Sequence, residues 1–261
     1  MPGLQSASNE PTLEYMDSEA KKYNIIWMDE VDSTNSEAVR RLESLDNMSV
    51  LAARCQSAGR GKDTHKWLTA PGENLTFTIV LKYSSSGPSE KLSSGGQSDA
   101  ENAISIPPYP PFPAANQMLL SAAAAASVVN FLAGEGISAW VKWPNDVYVG
   151  KKKICGILIE HRIIGTQLKS SIIGIGINLN QTVFDPLVPN PTSVALLSGR
   201  KLDITEALER FCGIFARKME LVYSEAAHLG DIISRTFALE NGAAGDENLR
   251  ACFAECVNVL L

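Results

Sequence analysis

A chain of 261 residues, 45% apolar and 20% charged, can bury one substantial core, alone or with a small appendage. Its net charge of −6 argues against whole-chain affinity for nucleic acid or for an anionic membrane, so any anion site must be local. Residues 1–22 are polar and lack the apolar segment of a secretory signal. They are expected to form a flexible leader, too short for a helix-turn-helix domain. No apolar run is expected to reach the length of a membrane span. The cysteines Cys55, Cys155, Cys212, Cys252 and Cys256 are odd in number and scattered. That pattern implies reduced cytoplasmic thiols, with no disulfide framework and no protein-borne metal site.

Tyr23 to Met28 is predicted to be a short strand. Asp32-Ser33-Thr34-Asn35 then supplies turn and N-cap chemistry for a helix over Ser36 to Leu45. Two strands follow, Ser49 to Arg54 and Leu75 to Tyr83. They flank the stretch CQSAGRGKDTHKWLTAPGEN, Cys55 to Asn74. Its glycines allow backbone to approach a ligand closely, and Arg60, Lys62, His65 and Lys66 can neutralise an anion there. Such a loop is also compatible with a solvated basic hairpin.

Residues 84–113 break the composition. SSSGPSEKLSSGG and PPYPPFP carry no apolar periodicity and predict an insertion, mobile in its first half, with a stiff return to the next helix. That helix spans Ala115 to Ala133. Ser138 to Lys142 is read as a strand entering the turn Trp143-Pro144-Asn145-Asp146. Asp146 to Val149, Lys153 to Ile164 and Leu168 to Ile177 read as antiparallel strands. Their internal glycines, Gly156, Gly174 and Gly176, mark bulges or close backbone approach. Asn190 to Ser193 should start a helix that Gly199 ends, and Asp203 to Tyr223 has a clear amphipathic stripe. The remainder predicts one helix (Asp231 to Leu239), a polar break and an apolar tail. Antiparallel runs between helices, without regular strand–helix alternation, give an α+β fold: a mixed, largely antiparallel sheet with packed helices.

Five motifs stand in order: DSTN from Asp32, Q-x-x-GRG running on to Trp67, VKWPND over Val141 to Asp146, K-x-x-GIL-x-E, and G-x-GIN, ending at Asn178. Over about Tyr23 to Tyr223 the chain resembles the catalytic domain of biotin–protein ligases, in the biotin/lipoate ligase superfamily. The resemblance implies a class II synthetase-related fold, with 23–224 as catalytic domain and 225–261 as a divergent or truncated C-terminal segment. It implies activation of biotin by ATP and Mg2+ to biotinyl-5′-AMP, then transfer to a lysine of a biotin carboxyl carrier domain of a carboxylase. By the same resemblance Ser33, Thr34, Asn35, Gln56, Arg60, Gly61, Lys62, Trp67, Lys142, Gly156 and Gly176 would contact biotin. Gly59, Arg60, Lys62, His65, Lys142, Asn145 and Asn178 would contact the nucleotide, with Lys142 and Arg60 catalytic. The family loop often reads GRGRRGR-x-W, whereas this one reads GRGKDTHKW, which weakens the expected grip on phosphate. A lipoate or octanoate ligase and a catalytically weak biotin-binding member are the alternatives.

Overall fold

The computed structural model describes residues 23–62, 65–85, 106–238 and 246–261. The leader 1–22, most of the first half of the insertion, the polar break at 239–245, and Asp63 and Thr64 of the basic loop lie outside the described residues. The architecture is α+β, as the alternation of short antiparallel runs with helices implies.

The sheet is built outward from its two most apolar strands. β3 (Leu75–Lys82) and β8 (Gln167–Ile177) are buried nearly end to end and pair antiparallel, with Phe77 opposite Ile175 and Ile79 opposite Ile173. On one side of this pair lie β2 (Ser49–Gln56) and then β1 (Asn24–Val31), which runs parallel to β2. On the other side follow β7 (Lys152–Ile164), β6 (Asp146–Val149) and β5 (Trp140–Lys142) at the edge. The two-residue β4 (Phe112–Pro113) pairs with the start of β8.

Side-chain alternation gives the sheet two unlike faces. Phe77, Ile79, Leu81, Ile173, Ile175 and Ile177 face the main core. Over them lie α2 (Met118–Gly134), α4 (Ile204–Ser224), α5 (Ala226–Ala238) and α6 (Asp246–Leu260). On the opposite face a smaller cluster of Ala38, Leu45, Leu51, Val80 and Ile172 seats α1 (Thr34–Arg40). α1 is short, and the part of that face it leaves uncovered carries Thr78, Gly156, Gly174 and Gly176. This is the floor of the candidate site.

α2 corrects one expectation. Residues Ala114–Gly134 form a helix long and apolar enough, by length and composition, to cross a membrane. It lacks an apolar stripe because it is wrapped on several sides: α4 and α6 pack on it, and β7 lies beneath. Its alanines Ala122 to Ala126 are wholly buried, which lets neighbouring backbones come close.

The C-terminal segment also differs from its sequence reading. The apolar tail is a helix, α6, whose buried residues Cys252, Phe253, Cys256, Val257 and Leu260 recur at helical spacing. α5 and α6 join the main core through Leu229, Ile232 and these residues. At the insertion's end, Tyr109 stacks on Tyr223 at 5.2 Å, and Phe112 packs edge-on to Tyr223 and against Tyr83. The aromatic side chains of the proline-rich return therefore anchor it to α4.

Candidate active site

Construction begins at the DSTN turn. Asp32 accepts the Ser33 N–H at 2.7 Å and binds Arg40 through both carboxylate oxygens, at 2.6 and 3.0 Å. The Arg40 guanidinium, with the Ser33 N–H, holds the Asp32 carboxyl down at about 2. Ser33 then caps α1 by accepting from Ser36 N. This geometry drives Ser33, Thr34 and Asn35 inward; each is at least 95% buried.

Burial of three polar residues requires partners, and β2, β3 and β7 provide them. Gln56 Oε1 accepts from Thr34 N at 2.8 Å and from Thr34 Oγ1 at 3.1 Å. Thr78 Oγ1 lies 2.7 Å from Asn35 Oδ1 and 2.8 Å from Thr34 Oγ1. Asn35 Nδ2 donates to Glu160 Oε2 at 2.8 Å and to Leu158 O at 3.2 Å. Glu160 in turn forms an ion pair with Arg60. A continuous polar chain thus runs from the helix cap across the sheet to the glycine-rich loop.

The floor beneath this chain is glycine because nothing larger fits. A Cβ at Gly174 would overlap the Asn35 side-chain amide, and one at Gly176 would overlap the Trp67 indole. Trp67 lies across Gly156 and Gly176, and its buried Nε1–H has no hydrogen-bond partner among the described residues. The loop closes by a bridge between Arg60 and Lys66 and by Trp67 N–H donating to Gly59 O at 2.9 Å. With Trp67 in this position the enclosed volume is only about 50 Å³.

Ser33, Thr34, Asn35, Gln56, Arg60, Gly61, Lys62, Trp67, Asn145, Gly156 and Gly176 all line this slot. Asn145 is fixed there by donating Nδ2–H to Ile157 O at 2.9 Å while its own carbonyl accepts from Ile157 N.

Four sequence-predicted residues stand elsewhere. Lys142 lies on the outermost strand, one strand beyond the wall formed by Asp146. Its ammonium sits 5.2 Å above the Tyr148 ring and does not line the slot. Gly59 faces the outer side of the loop. His65 contacts Lys62 O through Nδ1 at 3.0 Å. Asn178 is buried and donates to Thr192 O at 2.9 Å, tying β8 to the segment before α3 (Val194–Ser198).

The slot also holds residues that motif reading passed over. Lys153 lines it, bound to Asp146 at 2.6 Å and 5.7 Å above the Trp67 ring. The signal was present: Lys153 is the lysine of K-x-x-GIL-x-E, three residues before Gly156. Behind the lining, bonded to Asn35, stand Glu160, which closes the same motif, and Thr78, one of two threonines alternating through an otherwise apolar strand.

A family model described as the biotin/lipoate A/B protein ligase family matches residues 102–178. The chain is 28% identical over 227 residues to the biotin–[acetyl-CoA-carboxylase] ligase of Paracoccus denitrificans, covering 80% of this chain and 84% of that one. Its fold matches the biotin protein ligase of Aquifex aeolicus in complex with biotin and ATP: 26% identity, a TM-score of 0.56, and 76% and 71% of the two chains covered. These matches liken the chain's catalytic domain to the biotin/lipoate ligase family. Within it the match is strongest to biotin–protein ligases. The chain spans 55% of the bifunctional ligase/repressor BirA of Bacillus spizizenii, at 27% identity. As a biotin/lipoate ligase-family fold, the sheet carries its motifs on the face opposite the main helices, with glycines where the slot floor must be flat.

Proposed function

We propose that the slot activates biotin with ATP and passes it to a lysine of a biotin carboxyl carrier domain. The observation that carries this reading is the convergence of a neutral polar end with a cationic end in one narrow slot. Thr34, Asn35, Gln56 and Thr78 offer donors and acceptors suited to a cyclic urea, which needs both. Arg60, Lys62 and Lys153 gather at the other end, suited to a carboxylate meeting a phosphate. The relatives named above are biotin ligases, and one binds biotin and ATP.

The chemistry follows from that charge layout. The biotin carboxylate attacks the α-phosphorus of ATP, and pyrophosphate leaves with the bonding pair. Two anions must approach and charge grows on phosphorus, so fixed cations lower the barrier. We assign this role to Lys153 and Arg60, with Lys62 closing from the loop. Their carboxylate partners, Asp146 and Glu160, hold the cations in place until substrate arrives. Mg2+ commonly binds one or two carboxylates together with phosphate oxygens, and Asp146 is the slot carboxylate suited to it. Bound there, it would neutralise phosphate charge. The carrier amine then attacks the mixed anhydride and AMP leaves. Trp67 and the loop keep water from the anhydride meanwhile.

We take residues 23–224 as the catalytic unit, with 225–261 contributing helices packed against it, and place the activity in the cytoplasm. The test is ATP–pyrophosphate exchange with biotin, octanoate or no acid. Exchange dependent on biotin alone supports the reading. Dependence on octanoate assigns a lipoate-type ligase, and no exchange with any acid overturns activation altogether.

A further inference from the structure

Three cations border the slot, and they are not alike. Arg60 meets Glu160, and Lys153 meets Asp146. Among the described residues, the Lys62 ammonium meets no carboxylate. Lys62 also borders a second cavity, of about 460 Å³, on the other side of Ile157 and Leu158. That volume falls within the range of small-molecule sites, and the first slot's does not.

The walls of this cavity are chiefly apolar. Met118 comes from α2, Trp143 from the turn before β6, Ile157 and Ile159 from β7, and Leu249 from α6. The Phe253 ring packs on Trp143 at 4.8 Å, so α6 fixes that side. Among the described residues, no carboxylate lines the cavity. Its other titratable side chain is His161, whose Nδ1 is engaged by Ser171 Oγ at 2.9 Å. A positive charge that meets no carboxylate among the described residues, beside an apolar chamber, is complementary to an aliphatic tail ending in an anion.

We propose that this cavity binds a medium-chain monocarboxylate, with its tail along Met118, Ile157 and Ile159 and its carboxylate on Lys62. The same ammonium borders both cavities, so a carboxylate held in one removes Lys62 from the other. On the biotin reading above, such an acid would compete with biotin activation although its tail lies outside the biotin slot.

The test is calorimetry on the whole chain without biotin or ATP, using decanoate and, as a charge control of equal length, decylamine. Decanoate should bind saturably at one site below its micellar concentration, and decylamine at least ten-fold more weakly. Ser121→Phe and Ile159→Trp each place bulk in the cavity; each should weaken decanoate at least ten-fold and leave biotin-dependent pyrophosphate exchange unchanged. Lys62→Ala should reduce decanoate to the level of decylamine, and this arm decides alone if the filled variants melt early. No saturable decanoate binding, equal binding of decylamine, or filled variants that bind like wild type would overturn the proposal. Absence of biotin-dependent exchange would sink the biotin reading and leave the binding result standing.

Discussion

The two ends of the slot are held by opposite means. At the polar end, Thr34, Asn35, Gln56 and Thr78 sit on a capped helix and two central strands and satisfy one another through hydrogen bonds of 2.7 to 3.1 Å. At the cationic end, Arg60 and Lys62 are exposed on a loop whose closure rests on the Arg60–Glu160 ion pair, a bridge and a few backbone bonds. The first end has its geometry before ligand arrives. The second gains most when an anion is present, because among the described residues Lys62 meets no carboxylate without one. On the function proposed above, the acid would meet a preformed surface and the phosphate a basic loop.

Breaking the cationic end at its fixed member should give the largest effect. Lys153→Ala should lower adenylate formation about 10²-fold or more, the order expected for loss of a positioned charge at a transition state. Lys142→Ala is the control, since its ammonium lies over Tyr148 outside the slot. It should stay close to wild type in pyrophosphate exchange. The reverse ranking would return the role to Lys142 and show that β5 shifts when substrate binds.

Next comes the rigid end. Thr78→Val removes the hydroxyl that contacts both Thr34 and Asn35 and leaves buried groups short of a partner. Such a loss costs about 1–3 kcal/mol. Biotin affinity should fall about ten-fold, and the melting temperature should drop measurably. A variant with wild-type affinity and stability would mean that the network is not preformed.

A smaller effect is expected at the basic loop. Lys62→Gly should still form the adenylate and release it several-fold faster in a chase experiment. Unchanged release would remove Lys62 as a latch. The smallest effect concerns pH. Burial lowers the His161 pKa, so its neutral form is favoured in the folded state. Its contribution is present above the unfolded value, about 6.5, and is lost as pH falls towards the folded value. Thermal melts at pH 7 and pH 5 should differ less for His161→Gln than for wild type.

Sequence reading reached most of this arrangement through local chemistry. Ser193 and Gly199 bracket α3, and Asp203 caps α4, as their residue types predict. The strands around the basic loop follow from their apolar runs. What it misplaced depends on lateral position in the sheet, which motif order does not encode. Lys142 and Lys153 both follow strand-like segments in lysine-containing motifs. Only their places on β5 and β7, with a register shift at Val147 and Tyr148, decide which enters the slot. Thr78 was hidden for another reason: its two contacts come from α1, more than forty residues away in sequence.

α2 carries a consequence for how the chain is made. Its alanine-rich, all-round apolar surface becomes compatible with water only once α4 and α6 cover it. Those helices begin at Ile204 and Asp246, well after α2 ends at Gly134. At synthesis rates of roughly 5–20 residues per second, α2 spends on the order of ten seconds outside the ribosome without its cover. During that interval its surface is the kind that chaperones hold, so the nascent chain is most exposed to aggregation after α2 emerges and before α6 is complete.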